Sequence, residues 1–448
     1  MAHDDTIFAL SSGPGVAGVA VIRVSGVKAG ELLVSLTKKP LSVSRVATLS
    51  ALYNPTSDVL LDRALVLWFA APNSFTGEDV AELHVHGGTA VVEGVMEALS
   101  GTHGVRAATA GEFTRRAFDN GKMDLTEAEG LADLIHAQTS AQREQALRQM
   151  DGALRRLYEG WRSRIIVHLA HLEADIDFPD EDLPEGVAGA VKPEVMAVSA
   201  EIKEHLSDAV RGRAIRNGFR IVILGAPNVG KSTLLNALAK SDVAIVSEEA
   251  GTTRDVIEIQ LNLGGFPVRL VDTAGLREGG GAIEQEGMRR AKSHAEDAEL
   301  RLVLSSAGDK GLDEVTTTLV NEQTLLVLTK ADTANSVDPK PKEHGQLATL
   351  VTSAATGDGV EELLSWLTKH VVATMGKREA VTLTRLRHKE ALYETVEHLE
   401  RFAENAGRDP VLAAEDVRMA VRSLGSITGL VHMDDILDVV FSDFCIGK

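Results

Sequence analysis

The sequence predicts a multidomain α/β protein, in which a nucleotide-binding domain is inserted into an all-α helical domain that follows an α/β N-terminal domain. An apolar run at 221–224 leads into the phosphate-binding pattern G-x-x-x-x-G-K-S at 225–232. This strand-then-helix context is typical of nucleotide-binding domains. Residues 1–118 are rich in glycine and in short strand-like runs, for example at 19–24, 64–69 and 81–85. Apolar residues at helical spacing occur on both sides of the nucleotide-binding region. Before that region they predict one helix over about 151–176 and another over about 193–213. The apolar face of the first of these helices is expected to contain Leu154, Leu157, Trp161, Ile165 and Leu169.

Changes in these patterns give the expected domain boundaries. The N-terminal domain is expected at 1–118 and the nucleotide-binding domain at 216–378. The first segment of the helical domain, 119–215, contains the capping-box pattern Thr126–Glu129. The second segment is expected at 379–448. Two separate helical domains, instead of one domain made of two segments, are the alternative.

Composition favours an intracellular, cytoplasmic protein. The 448 residues carry a formal net charge of −19 and one cysteine, which fits a reducing compartment. No apolar run approaches the ~20 residues of a membrane-spanning helix, and the N-terminus has no signal-peptide pattern. Proteins that bind nucleic acid by themselves usually have a basic balance. An RNA substrate would therefore need a local basic patch or a partner protein.

The phosphate-binding loop assigns chemistry to its residues. Gly225 and Gly230 let the backbone turn so that successive N–H groups face the phosphates. Lys231 places a positive charge on the β- and γ-phosphate oxygens, and Ser232 offers its hydroxyl to Mg²⁺. The helix that follows adds its positive end.

Two further motifs are typical of a nucleotide switch. Asp272 can hold Mg²⁺ through a water, and the N–H of Gly275 can meet a γ-phosphate. The polar stretch Gly-Thr-Thr-Arg-Asp at 251–255 lies between two strand-like runs. A threonine hydroxyl there, for which we favour Thr253, reaches Mg²⁺ only while the γ-phosphate is bound. Such a segment orders with GTP and is released after hydrolysis.

The expected base is guanine. In Thr329-Lys330-Ala331-Asp332, the aspartate can accept from N1–H and N2–H₂ of guanine, a pair that adenine does not offer. The usual motif begins with Asn, and Thr329 keeps a hydroxyl but loses the amide. Ser-Ala-Ala at 353–355 fits the loop that contacts guanine O6 through its backbone. These ordered elements resemble a Ras-like GTPase domain. The expected GTP contacts are Asn228, Val229, Gly230, Lys231, Ser232, Thr233, Ser247, Thr253, Asp272, Gly275, Thr329, Lys330, Asp332, Ser353, Ala354 and Ala355.

The residue that orients the attacking water is not the usual one. Leu276 stands directly after Gly275, where Ras-type enzymes have a glutamine. Leucine cannot orient a water, so hydrolysis needs another group. Acidic candidates follow at Glu278, Glu284 and Glu286. For each of them, an ordinary solvated charge is the alternative.

Motifs along the whole chain carry a resemblance to a known family. They include the phosphate-binding loop, the switch at 251–255 and the tail Phe-Cys-Ile-Gly-Lys at 444–448. They also include Pro72–Asp79, His86–Gly88 and Gly111–Ala117. Together they resemble the bacterial tRNA-modification GTPases called MnmE or TrmE. The segments outside the GTPase domain are the most diagnostic.

The resemblance implies a function and partners. Members of this family have an N-terminal domain like the tetrahydrofolate-binding part of one-carbon enzymes, and they form homodimers through it. With a flavoprotein called MnmG or GidA, which binds FAD, they assemble into a heterotetramer or a larger complex. The complex adds an aminomethyl or carboxymethylaminomethyl group to C5 of the wobble uridine of certain tRNAs. A 5,10-methylene- or 5-formyl-tetrahydrofolate supplies the one-carbon unit.

The resemblance also implies residues for the modification site. Arg23, Glu82, Lys122 and Lys448 match the family's folate contacts. Arginine and lysine suit the folate carboxylates, and glutamate suits the pterin donors. Cys445 has a suspected catalytic role, and a buried small hydrophobic residue is the alternative. A shared site requires the C-terminal tail to fold back onto an N-terminal domain, its own or that of a second protomer.

For GTP hydrolysis, the resemblance implies a K⁺ site. In the family, K⁺ takes the place of an arginine finger and is bound as two GTPase domains meet. Asn228 matches the K⁺-binding side chain, while Ser247, Glu249 and Thr252 match positions that complete the site, by backbone oxygens. Glu284 aligns with the family's water-orienting glutamate, which favours it over its two acidic neighbours.

A function without modification chemistry is the alternative. A GTP-dependent switch in RNA or ribosome assembly would share the nucleotide motifs, but it usually carries a basic RNA-binding module. The acidic balance, the folate-like positions and the cysteine-containing tail favour the modification enzyme.

Overall fold

The computed structural model describes most of the chain and divides it into two compact units. The first unit contains Met1–Ala132, Gln149–Val198 and Glu394–Lys448, and the second contains Asp133–Arg148 and Ser199–Tyr393. The predicted division into four segments stays a prediction, because this division into two units is coarser. The described residues are 4–177, 187–245, 258–272, 292–309, 311–334, 347–376, 382–406, 408–431, 437, 440–442, 444, 446 and 447.

A mostly antiparallel sheet forms the N-terminal part of the first unit. Strand order is β3-β4-β5-β2-β1-β6, and only the β1–β6 pair is parallel. The strand-like runs expected at 19–24, 64–69 and 81–85 all lie in strands, which confirms them. The strands are β1 (Thr6–Leu10), β2 (Ala17–Ser25), β3 (Thr48–Tyr53), β4 (Leu60–Phe69), β5 (Val80–Gly87) and β6 (Val105–Ala107), and the helices are α1 (Ala29–Thr37), α2 (Thr89–Ser100) and α3 (Glu112–Asp119).

Helices follow this sheet, as the apolar spacing predicts. The buried side of α6 (Ala153–Asp177) includes Leu154, Trp161 and Ile165, so its predicted apolar face is confirmed. The spacing predicts one helix over about 193–213, which is wrong, because the chain turns at Asp208 between two helices. The remaining helices here are α4 (Leu125–His136), α5 (Ser140–Met150), α7 (Val187–Ser207) and α8 (Ala209–Asn217).

The start of α4 corrects the predicted capping box. Thr126 and Glu129 are buried inside the helix. The reciprocal bonds instead join Asp124 and Glu127. The N–H of Glu127 donates to Asp124 Oδ1, and the N–H of Asp124 donates to Glu127 Oε2, both at 2.8 Å. Aspartate caps helices as well as threonine does, so the same spacing two residues earlier defines the start.

The second unit is built on a sheet with strand order β13-β12-β11-β7-β10-β9-β8. Strands β7, β10, β11, β12 and β13 pair in parallel, whereas β9 is antiparallel to β10 and to β8. The strands are β7 (Phe219–Gly225), β8 (Ala244–Ile245), β9 (Glu258–Leu263), β10 (Phe266–Asp272), β11 (Leu300–Ser306), β12 (Thr324–Thr329) and β13 (Ala348–Val351). The helices are α9 (Lys231–Ala239), α10 (Glu314–Thr318) and α11 (Val360–Met375).

Two long helices follow the second sheet in the chain. They are α12 (Leu386–Asn405) and α13 (Pro410–Thr428), and α13 packs against α6 in the first unit. Asp409 caps α13 by accepting from the N–H groups of Val411 and Leu412. Among the helices that the structure describes, none has both the length and the apolar character needed to span a membrane.

Candidate nucleotide and modification sites

The phosphate-binding loop joins β7 to α9 in a conformation that needs glycine. Gly225 has φ 144° and Gly230 has φ 102°, in the left-handed region where side chains are strained. A Cβ at Gly225 would also lie 2.5 Å from the carbonyl oxygen of Leu304 on β11. Both glycines are therefore required by geometry, as the motif predicts.

Lysine 231 lies at the first position of α9 and points back into the loop. Its Nζ donates to the carbonyl oxygens of Gly225 and Ala226 at 2.8 and 2.7 Å. The side chain is buried, and the positive end of α9 faces the same loop. An anion here would meet both the ammonium group and the helix terminus.

The structure brings together the two side chains expected near Mg²⁺. Ser232 Oγ lies 3.4 Å from Asp272 Oδ2, and Asp272 is fully buried at the end of β10. A hydroxyl and a carboxylate are the oxygen ligands and water acceptors that Mg²⁺ prefers. The donor set therefore fits Mg²⁺.

Thr329 and Lys330 contact consecutive carbonyl groups of the phosphate-binding loop. Thr329 Oγ1 lies 2.5 Å from the carbonyl oxygen of Val229 and 3.2 Å from that of Ser305. Lys330 Nζ donates to the carbonyl oxygen of Asn228 at 2.6 Å. The motif expected to recognise the base thus also holds the phosphate-binding loop.

The expected guanine contacts lie together at the ends of β12 and β13. Ser353 Oγ donates to Asp332 Oδ1 at 2.6 Å, which orients the carboxylate. The N–H of Ser353 donates to the carbonyl oxygen of Asp358 at 2.8 Å, so the 353–358 turn closes on itself. Sequence reasoning did not identify Asp358, although the Thr-Gly-Asp-Gly pattern at 356–359 signals a turn.

Several predicted site residues lie outside the described residues, and their roles stay predictions. They are Ser247, Glu249, Thr252, Thr253, Gly275, Glu284, Cys445 and Lys448. The acidic alternatives Glu278 and Glu286, and Leu276, lie there too.

In the N-terminal sheet, Arg23 and Glu82 are direct cross-strand neighbours. They face each other in the β2–β5 register, and Arg23 Nε donates to Glu82 Oε1 at 3.0 Å. The guanidinium also lies over the rings of Phe75 and Phe113, 5.3 and 5.7 Å from their centroids. Sequence reasoning did not identify these two rings, although both lie within motifs that carry the family resemblance. The result is a charged pair flanked by aromatic faces.

Lys122 contacts the loop that carries Phe75. Its Nζ donates to the carbonyl oxygen of Pro72 at 2.9 Å. Asn120 Nδ2 donates to the carbonyl oxygen of Thr76 at 2.7 Å. The chain after α3 therefore holds the 72–79 loop beside Arg23.

A buried arginine also holds the same loop, through Glu78. Arg116 is fully buried, and its guanidinium donates to Asp5, Glu78 and Glu112. Burial acts to raise the pKa of Glu112, but hydrogen bonds from Arg106, Thr109 and Arg116 outweigh it and lower that pKa to about 2. The carboxylate is therefore ionised at neutral pH, and Arg116 stays paired.

The end of the chain lies against its own N-terminal domain. Ile446 forms an antiparallel bridge with Ala110. Ser11 Oγ donates to the carbonyl oxygen of Gly447 at 2.9 Å. Gly447 has φ 102°, and a Cβ there would lie 2.2 Å from the carbonyl oxygen of Leu10. The tail thus meets the end of β1 at Leu10. Leu10 pairs with Ile22 of β2, and Ile22 is next to Arg23 in the chain.

Together, the parallel sheet, the phosphate-binding loop and the buried carboxylate at its edge define a P-loop nucleotide-binding protein. Asp332, which Ser353 orients, stays the predicted guanine contact. The family model for the MnmE helical domain matches residues 125–445, and the model for the GTP-binding protein TrmE N-terminus matches residues 6–122. The chain belongs to the MnmE family of tRNA-modification GTPases.

Relatives match over nearly the full length. The tRNA modification GTPase MnmE of Parvibaculum lavamentivorans is 50% identical over 446 residues, covering 99% of this chain and 100% of that protein. The mitochondrial 5-taurinomethyluridine tRNA synthase subunit GTPB3 of Homo sapiens is 47% identical over 465 residues, covering 99% and 93%. The G domain of the T. maritima FeoB iron transporter is 25% identical with a TM-score of 0.26, covering 35% of this chain and 98% of that one.

Proposed function

We propose that this chain hydrolyses GTP as part of an enzyme that modifies the wobble uridine of certain tRNAs at C5, adding an aminomethyl or carboxymethylaminomethyl group. The observation that carries the proposal is the full-length match to a tRNA modification GTPase at 50% identity, combined with the phosphate-binding loop and the contact of Ser232 with Asp272. The human relative is named as a subunit of a synthase, which favours a multiprotein enzyme. We expect the partner to be the flavoprotein MnmG or GidA, with FAD, and the location to be cytoplasmic.

The nucleotide site supports GTP as the substrate. Lys231 and the positive end of α9 bind the phosphates, and Asp332, oriented by Ser353, accepts from guanine. Ser232 and Asp272 would hold Mg²⁺, which supplies charge neutralisation at the β- and γ-phosphate oxygens. These groups bind and orient GTP, so the barrier is lowered by positioning and electrostatics.

For the hydrolytic step, we propose that K⁺ and a glutamate replace the missing glutamine. Asn228 is exposed on the loop with φ 62°, a strained backbone held by Lys330 through the Asn228 carbonyl. An amide oxygen suits K⁺. Ser247, Glu249 and Thr252 would complete the K⁺ site, Thr253 would reach Mg²⁺, and Glu284 would orient the water.

For the one-carbon chemistry, we propose a tetrahydrofolate site beside Arg23. Arg23 holds the Glu82 carboxylate through a hydrogen bond, and that carboxylate can accept from the N–H donors of a pterin. The rings of Phe75 and Phe113 offer apolar faces beside it. Lys122 and Lys448 would bind folate carboxylates. The contact of the tail with β1 supports placing Cys445, next to Ile446, at this site.

For assembly, we propose a homodimer through the N-terminal sheet. Edge strand β3 carries Leu49, 66% exposed, directly opposite Leu65 of β4, 47% exposed. Val43 and Val46, just before β3, are exposed as well. An apolar edge of this kind normally pairs or is covered. A second copy of the same sheet fits, because a two-fold interface is self-complementary.

Mass spectrometry of wobble uridines tests the proposed function. Cells that lack the chain should lose the C5 aminomethyl and carboxymethylaminomethyl groups, and the wild-type gene should restore them. A Lys231→Ala gene should not restore them, because that variant lacks the phosphate-binding ammonium group. Unchanged uridines in the deletion strain would contradict the proposal.

A further inference from the structure

A short part of the predicted helical segment is packed as part of the GTPase unit. Asp133–Arg148 falls in the second compact unit. Ala141, in the first turn of α5, is 5% exposed and belongs to the same apolar core as Phe219, Ile221 and Phe266 of the GTPase sheet. The start of α5 is therefore a structural part of the nucleotide-binding domain, although the sequence pattern places it in the helical domain.

This first turn contacts the tip of the β9–β10 hairpin. The tip is a two-residue turn with positive φ at both Gly264 and Gly265, 61° and 87°, as a tight hairpin requires. The carbonyl oxygen of Gly265 accepts from the N–H of Ala141 at 2.9 Å and lies 3.4 Å from Ser140 Oγ. A Cβ at Gly264 would lie 2.5 Å from Val372 Cγ2 of α11. The tip is thus held between two helices.

The other end of the hairpin reaches the nucleotide site. Strands β9 and β10 pair in continuous register from Phe266 and Leu263 to Val271 and Glu258. Strand β9 begins at Glu258, three residues after the proposed switch at 251–255. Strand β10 ends at Asp272, beside Ser232. One paired element therefore connects both nucleotide-sensing positions to the first turn of α5.

The segment Asp133–Arg148 also contacts the chain just before the GTPase sheet begins and just after the GTPase domain ends. Asp133 Oδ1 accepts from Arg216 Nε and from Arg385 Nη2, each at 2.9 Å. Gln142 Nε2 donates to the carbonyl oxygen of Arg216 at 3.0 Å. Arg216 precedes β7, and Arg385 precedes α12. The contacts of Asp133 and Gln142 with Arg216 and Arg385 do not involve the β9–β10 hairpin. The contact of Ala141 with Gly265 does.

We propose that the hydrogen bond between Ala141 and Gly265 transmits the nucleotide state from the β9–β10 hairpin to α5. The proposal rests on the proposed GTP function and concerns how the nucleotide site is coupled to α5. A nucleotide can shift a structural equilibrium only through a difference in affinity for the two states. The coupling is reciprocal, so loosening this contact must change the affinities for GDP and for a GTP analogue by unequal factors.

A matched pair of variants at one position tests the coupling. Ala141→Pro removes the N–H donor at a first-turn position where proline is tolerated. Ala141→Gly keeps the donor and removes only the methyl group. Full-length protein is titrated with GDP and with a non-hydrolysable GTP analogue. Ala141→Pro should change the ratio of the two dissociation constants by about fivefold or more, and Ala141→Gly should leave it unchanged.

An unchanged ratio in Ala141→Pro, or equal changes in both variants, would overturn the proposal. If the wild-type protein bound neither nucleotide, the proposed GTP function itself would fail, which is a separate result. Hydrogen exchange on the wild-type protein gives a test that needs no variant. The amides of the first turn of α5 should exchange at rates that differ about fivefold between the GDP and analogue states. Equal rates there would overturn the proposal, whether or not the hairpin amides respond.

Discussion

At the scale of single residues, Thr329 makes a backbone contact at the position where the guanine motif usually has asparagine. Its hydroxyl contacts the carbonyl oxygen of Val229, and Lys330 contacts that of Asn228. In a planar trans peptide, the N–H points opposite to the C=O. Holding these carbonyls at the motif therefore directs the N–H groups of Val229 and Gly230 away from it, as the proposed phosphate contacts require. The hydroxyl suffices for this contact.

Replacing the Thr329 hydroxyl should weaken phosphate binding and leave base selectivity intact. Thr329→Val keeps the shape and loses the donor, which costs about 1–1.5 kcal/mol for a buried hydrogen bond, or roughly tenfold in GDP affinity. Thr329→Ser keeps the donor and should bind GDP like the wild type. Isothermal titration with GDP and ADP measures both properties. Wild-type affinity in Thr329→Val, or a loss of selectivity against ADP, would contradict this account.

A second residue-scale prediction concerns hydrolysis. Because Leu276 cannot orient a water and Asn228 offers an amide oxygen, K⁺ should accelerate GTP hydrolysis strongly and Na⁺ poorly. Glu284→Ala should lower kcat roughly 10²-fold with nearly unchanged GTP affinity, as expected for a transition-state role. Phosphate-release assays in KCl and NaCl measure both effects. Equal rates in the two salts would rule out the K⁺ mechanism.

At the scale of elements, the sequence predicts the strands, loops and helix faces that depend on neighbouring residues in the chain. The strands at 19–24 and 81–85, the phosphate-binding loop and the apolar face of α6 are all where the sequence indicates. The break at Asp208 is invisible to periodicity, because apolar residues continue on both sides. The Arg116 network could not be predicted either, since Arg116 and Asp5 lie 111 positions apart and meet only in the folded domain.

The cap of α4 gives an element-scale prediction. Burial raises the pKa of Asp124 to about 6 from 3.8, with a smaller contribution from Glu127, while hydrogen bonds and Arg155 oppose the shift. The folded state therefore binds the proton more tightly than the unfolded state, so this group favours folding at low pH. That contribution is lost as the pH rises from about 4 to 6.

Asparagine at position 124 should cap α4 as well as aspartate does, and it has no carboxyl group to ionise. Asp124→Asn should therefore gain stability relative to the wild type as the pH rises from 4 to 7. Asp124→Ala should lose about 1 kcal/mol at pH 4 through the missing cap. Urea unfolding midpoints at the two pH values give the comparison. If the difference between Asp124→Asn and the wild type did not change with pH, the raised pKa would be wrong.

At the scale of the whole molecule, residues 446 and 447 lie against the N-terminal sheet. The tail at 446–447 contacts Ala110, Ser11 and the end of β1, so a C-terminal motif joins the N-terminal sheet within one protomer. The sequence alone leaves open whether this contact is made within or between protomers. Spacing along the chain cannot decide it, because only the fold determines where a distant tail lies.

The contact of the C-terminal tail with the N-terminal sheet predicts that bound folate shields the tail. Bound 5-formyl-tetrahydrofolate should protect Cys445 from alkylation. Arg23→Ala should weaken folate binding and leave GTP hydrolysis largely unchanged, because Arg23 lies outside the nucleotide site. Calorimetry with the folate and mass spectrometry of the alkylated peptide measure the two effects. A wild-type protein without detectable folate binding would remove this site from the account.

The central claim, that GTP binding at this site supports tRNA modification, is tested most directly by changing the nucleotide. Asp332→Asn should prefer xanthosine nucleotides, because an amide can donate to the extra carbonyl of xanthine. The chain is combined with the flavoprotein partner, folate, a nitrogen donor and unmodified tRNA, and C5-modified wobble uridine is quantified by mass spectrometry. The wild type should form it with GTP and not with XTP, and Asp332→Asn should form it with XTP and not with GTP. Product formation that is independent of the nucleotide in both proteins would contradict the claim.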